Sequence, residues 1–197
     1  MSKLQEYIQR YERIHTGQDA VLDRNGKVMG QQSNYFFPGE KGLSFFVKDL
    51  EDIIKKKNRA ISVLDYGCGL AVHTYKKEKF LNNLTSPSYF RGKLQCYYLY
   101  DPCVPHYNQK PTKGSQFDVV LCTDVLEHIP KESIDEVLQE INEYTKPDGE
   151  ILLSISTIPA IKHFADGTNL HVTVEGKEWW DQKLKENLSK PPYKVKI

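Results

Sequence analysis

The run Ile61-Ser-Val-Leu-Asp-Tyr-Gly-Cys-Gly69 limits what this chain can fold into more than any other segment. Ile61 to Leu64 have the small or β-branched, uncharged character of a strand buried on both faces, as in a parallel sheet covered by helices. Asp65 closes the run, and Gly67 and Gly69 follow with one residue between them. Neither glycine has a Cβ, so the backbone there turns sharply and admits a ligand closely. Open α/β sheets bind ligands outside the carboxyl ends of their strands. Asp65, Tyr66, Gly67, Cys68 and Gly69 are therefore the expected edge of a nucleotide-like cofactor site.

A dinucleotide fingerprint would carry a third glycine at position 72, where this chain has Val72. That departure and the acid at Asp65 argue against NAD and for S-adenosylmethionine. Three further segments follow in order. Leu94 to Tyr100 is a strand-like run ending at Asp101-Pro102, a carboxylate suited to accept ribose hydroxyl hydrogen bonds. Phe117 to Asp124 is a second, followed directly by Val125-Leu-Glu-His-Ile-Pro130. Lys146-Pro-Asp-Gly149 reads as a turn feeding a third apolar run, Glu150 to Ser156.

This ordered set resembles the motifs of the class I S-adenosylmethionine-dependent methyltransferases over residues 60 to 156. The resemblance implies a doubly wound α/β fold, Rossmann-like, with a mostly parallel sheet and helices on both faces. It implies S-adenosyl-L-methionine as cofactor and S-adenosyl-L-homocysteine as product. Asp65, Gly67 and Gly69 correspond to the loop for the methionine portion, Asp101 to the ribose ligand, and Thr123 and Asp124 to the border between cofactor and acceptor. Position 71 is Ala where many members have a further glycine, and 32 residues separate Gly69 from Asp101, so Leu81 to Gly92 is expected to hold an extra loop. The family usually ends in two antiparallel strands. Only Tyr193 to Ile197 stands as a candidate here, so the closing edge is expected to be trimmed or completed from elsewhere.

With 197 residues the chain fits one α/β domain, divided here into residues 1–58, helices and a loop covering the site, and a core at 59–197. Net charge is +1, from 27 basic and 26 acidic residues, so no whole-molecule field draws it to nucleic acid or anionic membrane, although a local basic groove stays open. Cys68, Cys96, Cys103 and Cys122 form no Cys-x-x-Cys pair and read as small core residues of a reducing compartment. No apolar signal core and no run of membrane-spanning length is present, and a cytoplasmic protein is expected.

Periodicity predicts helices over Lys3 to His15, Leu43 to Lys57, Lys131 to Thr145 and Trp179 to Leu188. Lys55, Lys56 and Lys57 read as a solvated helix end. Tyr35, Phe36 and Phe37 read as loop anchors, and the Trp179-Trp180 pair as core packing.

Methyl transfer is an in-line displacement, so a base matters only where the acceptor loses a proton. His128, after a strand end beside the cofactor, is the expected catalytic residue. The alternative is a metal: if the segment is helical, Asp124, Glu127 and His128 share a face, with His171 or His163 arriving from the loop after Ser156. That pattern is similar to small-RNA 2′-O-methyltransferases and ubiquinone-pathway O-methyltransferases, in which a divalent ion orients acceptor hydroxyls. The competing reading of Asp124 to His128 is a cofactor edge and helix start. Near-neutral charge and the lack of an Asn-Pro-Pro-Tyr or Asp-Pro-Pro-Tyr motif disfavour DNA-base methylation. The favoured acceptor is a small molecule or sugar-like hydroxyl, with a non-catalytic cofactor-binding scaffold as the rival outside catalysis. The sequence fixes no oligomeric state.

Overall fold

The computed structural model describes residues 1–29, 46–71, 93–188 and 192–197. In chain order the elements are α1 (Lys3–His15), β1 (Val21–Leu22), α2 (Val47–Lys57), β2 (Ile61–Tyr66), β3 (Leu94–Tyr100), β4 (Phe117–Thr123), α3 (Ile134–Glu143), β5 (Thr145–Ser154), β6 (His163–Phe164), α4 (Lys177–Asn187) and β7 (Tyr193–Lys196). The apolar runs read from the sequence become neighbours in one sheet of order β3-β2-β4-β5-β7. Every pairing in it is parallel. All six residues of β2 are buried, as expected of a strand covered on both faces.

Alternation along the strands sends side chains to two cores. Val63, Val119, Leu121 and Leu152 pack with Phe46, Leu50 and Ile53 at and within α2. Leu64, Val120, Cys122, Ile151 and Leu153 pack with Ile134, Val137, Leu138 and Ile141 of α3 and with Trp180 and Leu184 of α4. The sheet is thus covered by helices on both sides, which is the doubly wound α/β arrangement, Rossmann-like. A third cluster joins Tyr11 and Ile14 of α1 to Val21, Phe164 and Leu170, with β1 and β6 paired as a separate antiparallel ribbon.

Several boundaries differ from the periodic pattern. The helix expected over Lys131 to Thr145 ends at Glu143, and a short 3₁₀ turn, Lys131–Ser133, precedes it. The turn expected at Lys146 to Gly149 is an excursion inside β5: Phe117 pairs with Thr145 and Val119 with Glu150. Gly149 permits it, because a Cβ there would lie 2.8 Å from Thr145 Cγ2 and 3.0 Å from the Lys146 carbonyl. The C-terminal edge is completed by β7, which lies parallel to β5 rather than antiparallel. Cys68 and Cys122 are buried, but Cys96 is exposed on the edge strand β3, so it is not the core residue expected; all four cysteines are free thiols. Tyr35 to Phe37 and Leu81 to Gly92 lie outside the described residues. Among the described residues no helix is long and apolar enough to cross a membrane.

The amino-terminal ends of the strands are tied by one carboxylate. Asp118 is fully buried. Its Oδ2 accepts from the Ser62 amide at 2.8 Å, the Ser62 hydroxyl at 2.9 Å, Arg59 at 3.0 Å and Lys146 at 3.1 Å. Lys57, read as part of a solvated helix end, donates instead to the Asp148 carboxylate at 2.8 Å and lies 3.7 Å from Asp118. A depression of about 440 Å³ opens here, lined by Lys56, Lys57, Arg59, Asp148 and Pro192, at the opposite end of the sheet from the glycine turn. Burial alone would raise the Asp118 pKa. The hydrogen bonds from Arg59, Ser62 and Lys146 outweigh it and hold the carboxyl well below the usual range.

Asp118→Ala is expected to cost about 2–3 kcal/mol in urea unfolding, the scale of lost charge-assisted bonds to a buried carboxylate. Because the folded pKa is depressed, this stability is complete above the unfolded value of about 3.9 and is lost as pH falls towards the folded one. The gap between wild type and Asp118→Asn should therefore narrow on the acid limb; a gap independent of pH would contradict the assignment.

Candidate active site

At the carboxyl ends of β2, β3 and β4 the chain makes three adjacent turns. Asp65 pairs in register with Leu99 on one side and Leu121 on the other, which brings the three strand ends together. Gly67 and Gly69 take φ of +78° and +56°. The Gly67 and Cys68 amides donate to the Tyr100 carbonyl at 2.7 and 3.2 Å, and the Gly69 amide to Asp101 Oδ2 at 2.9 Å. Ala71, where the family often has glycine, also takes a positive φ of +48°.

Gly67 answers a packing demand as well as a conformational one. A Cβ built on it would lie 2.4 Å from Val125 Cγ2. The glycine turn and the segment after β4 are in direct contact through this point.

The two acids are buried and occupied. Asp65 accepts from the Tyr97 hydroxyl at 2.9 Å. Asp101 accepts from the Gly69 amide through one oxygen and from the Cys103 amide, at 2.8 Å, through the other. Burial raises its pKa, and the two amide bonds act against that. Each carboxylate oxygen has a second acceptor position, so Asp101 can hold the glycine turn and still receive a ribose hydroxyl. Bare glycine backbone flanked by acids fits S-adenosylmethionine: Gly67, Cys68 and Gly69 would border the methionine portion and Asp101 the ribose. Tyr66 contributes backbone alone to this edge, since its hydroxyl donates to Glu140 at 2.6 Å on the α3 side and its ring packs against Tyr100. Cys68 is buried, and burial pushes its thiol pKa up. Pro102 is half-buried in the turn beside Asp101, and Thr123 ends β4 half-buried.

After Thr123 the expected helical face does not form. Asp124 takes a left-handed φ of +54°, is exposed, and accepts from the Ser154 hydroxyl at 2.8 Å. A 3₁₀ turn at Leu126–His128 follows. Asp124 is outside the group that residues 127 and 128 form with His171: its left-handed backbone and the 3₁₀ turn break the helical face on which it was to join them. Glu127, His128 and His171 do come together, with one ligand atom from each lying within 4.8 Å of the others. His163 is not in this group; its Nε2 faces the Asn169 amide at 3.1 Å.

Glu127 has no exposed surface. Its Oε1 accepts from the Ser156 amide at 3.0 Å, and its Oε2 has no hydrogen-bond partner among the described residues. Burial, with the Asp124 charge adding to it, pushes the Glu127 pKa up to about 8. Burial lowers that of His128 to about 3, and His171 adds to the effect.

The imidazoles are held by backbone. His128 Nδ1 lies 2.8 Å from the Tyr11 hydroxyl and 3.0 Å from the Leu170 carbonyl, and Tyr11 itself donates to that carbonyl at 2.5 Å. Since the Tyr11 proton goes to Leu170, the consistent tautomer carries the His128 proton on Nδ1. His171 Nδ1 faces the Ile158 carbonyl at 2.6 Å, which fixes the same tautomer there. The two rings meet edge to face, 4.8 Å between centroids. Two residues beyond His171, Thr173 is buried and its hydroxyl donates to the Ile129 carbonyl at 2.6 Å. Trp180 is core, and Trp179 packs against it edge to face.

Tyr11 was not legible as a site residue. Its place in the apolar stripe of α1 explains its burial, and nothing local signals a partner 117 residues away.

An open parallel sheet with a bare glycine turn between two strand-end acids defines a Rossmann-like enzyme of the class I methyltransferase type. A family model described as a methyltransferase domain matches residues 40–192, and the chain belongs to that family. It is an S-adenosylmethionine-dependent methyltransferase. The crystal structure of Burkholderia thailandensis 1,6-didemethyltoxoflavin-N1-methyltransferase, with 1,6-didemethyltoxoflavin and S-adenosylhomocysteine bound, is similar over 95% of this chain and 80% of that one, at 13% identity and a TM-score of 0.54. The PH0226 protein from Pyrococcus horikoshii OT3 matches over 78% of this chain and 87% of that one, at 16% identity and a TM-score of 0.43. Likeness at such identity speaks to the fold. No curated protein matches the chain.

Gly67→Ala is expected to destabilise the protein by about 2–3 kcal/mol, combining the left-handed φ with the clash against Val125. It should also abolish S-adenosylhomocysteine binding in calorimetry. Adding Val125→Ala should recover part of the stability, since the two sites share one space. No recovery in thermal melts would show that the clash is not the cause.

Proposed function

We propose that the enzyme transfers the methyl group to a hydroxyl of a small molecule, sugar-like hydroxyls included. The observation that carries this reading is the carboxylate and two imidazoles, Glu127, His128 and His171, gathered within 4.8 Å. Glu127 and His128 sit on the turn whose Val125 touches the glycine loop, and His171 reaches them from the segment after β6. An amine acceptor already carries a nucleophilic lone pair, whereas a hydroxyl gains most from groups that orient it and take its proton.

When bound, S-adenosylmethionine supplies a sulfonium methyl; its C–S bond breaks as the C–O bond forms, the electron pair goes to sulfur, and the hydroxyl proton is released. The chain's own work is alignment and exclusion of water. Gly67 to Gly69 admit the cofactor closely, and Asp101 supports the loop while receiving the ribose. Tyr11 and the Leu170 carbonyl orient His128, and the Ser156 amide orients Glu127. His128 is the proposed catalytic residue toward the acceptor oxygen. A small-molecule acceptor also accords with the named substrate of the Burkholderia enzyme, 1,6-didemethyltoxoflavin.

The test is transfer of labelled methyl groups from S-adenosylmethionine to matched panels of hydroxyl and amine acceptors, with products identified by mass. O-methyl products are expected, and transfer confined to amines would overturn the reading. With an acceptor in hand, His128→Ala should lower turnover about 10²-fold or more while S-adenosylhomocysteine affinity barely changes. Full turnover in that variant would remove His128 from the mechanism.

A further inference from the structure

We infer that Glu140 is a positioning residue for the cofactor: its two carboxylate oxygens fasten the glycine turn and the segment that carries Asp101 to one point on α3. The inference concerns cofactor binding and is independent of the acceptor.

Glu140 lies at the margin of the buried face of α3, one turn after Val137 and next to Ile141. Its Oε2 accepts from the Tyr66 hydroxyl at 2.6 Å, and its Oε1 accepts from Lys110 Nζ. The Tyr144 hydroxyl stands farther from Oε1, at 3.5 Å. Burial, and after it the Glu140 charge, push the Tyr66 pKa well above its usual value, so the hydroxyl keeps its proton and donates.

Each partner leads to a different half of the cofactor edge. Tyr66 is the last residue of β2 and directly precedes Gly67. Its ring meets the Tyr100 ring edge to face, 5.2 Å between centroids, and the Tyr100 carbonyl receives the Gly67 and Cys68 amides. Lys110 belongs to the segment between β3 and β4 that Asp101 begins. That segment folds back on its own start: the Asp101 amide donates to the Tyr107 carbonyl at 3.0 Å, and the Tyr98 hydroxyl to the Gln109 carbonyl at 3.1 Å. Holding Lys110 therefore holds the turn at Asp101.

The two halves meet again where the Gly69 amide donates to Asp101 Oδ2 at 2.9 Å. Glu140 thus closes a ring of contacts that runs through Tyr66, the glycine turn, Asp101 and Lys110 and back to itself. A ring closed before the ligand arrives leaves less loop to order on binding, so its energy appears as cofactor affinity. The Tyr66 bond is buried and charge-assisted, whereas the Lys110 side chain is 58% exposed, so the larger share falls to Tyr66.

The test is a mutant cycle read by calorimetry with S-adenosylhomocysteine, at a temperature well below the melt of every variant. Tyr66→Phe should weaken binding about threefold or more and Lys110→Met about twofold, the scale of one buried hydrogen bond and one partly exposed ion pair. Glu140→Leu removes both contacts and should weaken binding about tenfold. In that background Tyr66→Phe and Lys110→Met should cost nothing further, because the group through which they act is gone. Glu140→Gln keeps an acceptor oxygen for Tyr66 and should restore most of the affinity. Should Glu140→Leu fail to fold, the cycle runs on Glu140→Gln, where Lys110→Met is expected to be silent and Tyr66→Phe is not. A merely structural role would lower the melting temperatures and leave the affinity of the folded protein unchanged. Wild-type affinity in Tyr66→Phe and Lys110→Met, or single-variant losses that persist in full once Glu140 is replaced by Leu, would overturn the inference.

Discussion

The contact between Gly67 and Val125 is the constraint on which the functional edge depends. A single methyl on the glycine would lie 2.4 Å from the valine, so the two turns can meet only if one of them has no side chain. That meeting sets the distance between the loop that admits the cofactor and the turn that carries Glu127 and His128. The family explanation for the glycine, close approach to a ligand, is therefore half of the account. The other half is a contact within the protein that exists with or without the ligand.

The rest of the edge is arranged around that contact by groups that cross long stretches of sequence. Asp101 reaches back to the Gly69 amide, Ser154 holds the reversed backbone of Asp124, and the Ser156 amide holds Glu127. Helix α1 closes the far side, where Tyr11 bridges His128 and the Leu170 carbonyl. At the other end of the strands Asp118 joins β2, β4 and the residues after α2. The sheet is fastened at its amino ends by charge. Its carboxyl ends are left for chemistry.

The sequence carried the sheet because β2 and β4 are buried on both faces, and such strands are apolar apart from residues with hydrogen-bond partners, as Ser62, Asp65 and Asp118 have here. It carried the glycine turn because positive φ and close packing both demand glycine there. It carried Glu127, His128 and His171 as candidates, but grouped them with Asp124 by assuming a helix. The left-handed residue at Asp124 has no signature in hydrophobic periodicity, since it depends on Ser154 in another strand. The parallel placement of β7 was equally hidden, because four residues of alternating burial read the same in either direction. Tyr11 escaped for a related reason: its hydroxyl's partners come from tertiary structure alone.

The most direct test is a crystal structure of the protein with S-adenosylhomocysteine. The account predicts the ligand across the carboxyl ends of β2, β3 and β4, with its ribose at Asp101 and its amino-acid portion along Gly67 to Gly69. Its sulfur should face the group formed by Glu127, His128 and His171. A ligand bound elsewhere, or one whose sulfur faces away from that group, would contradict the account.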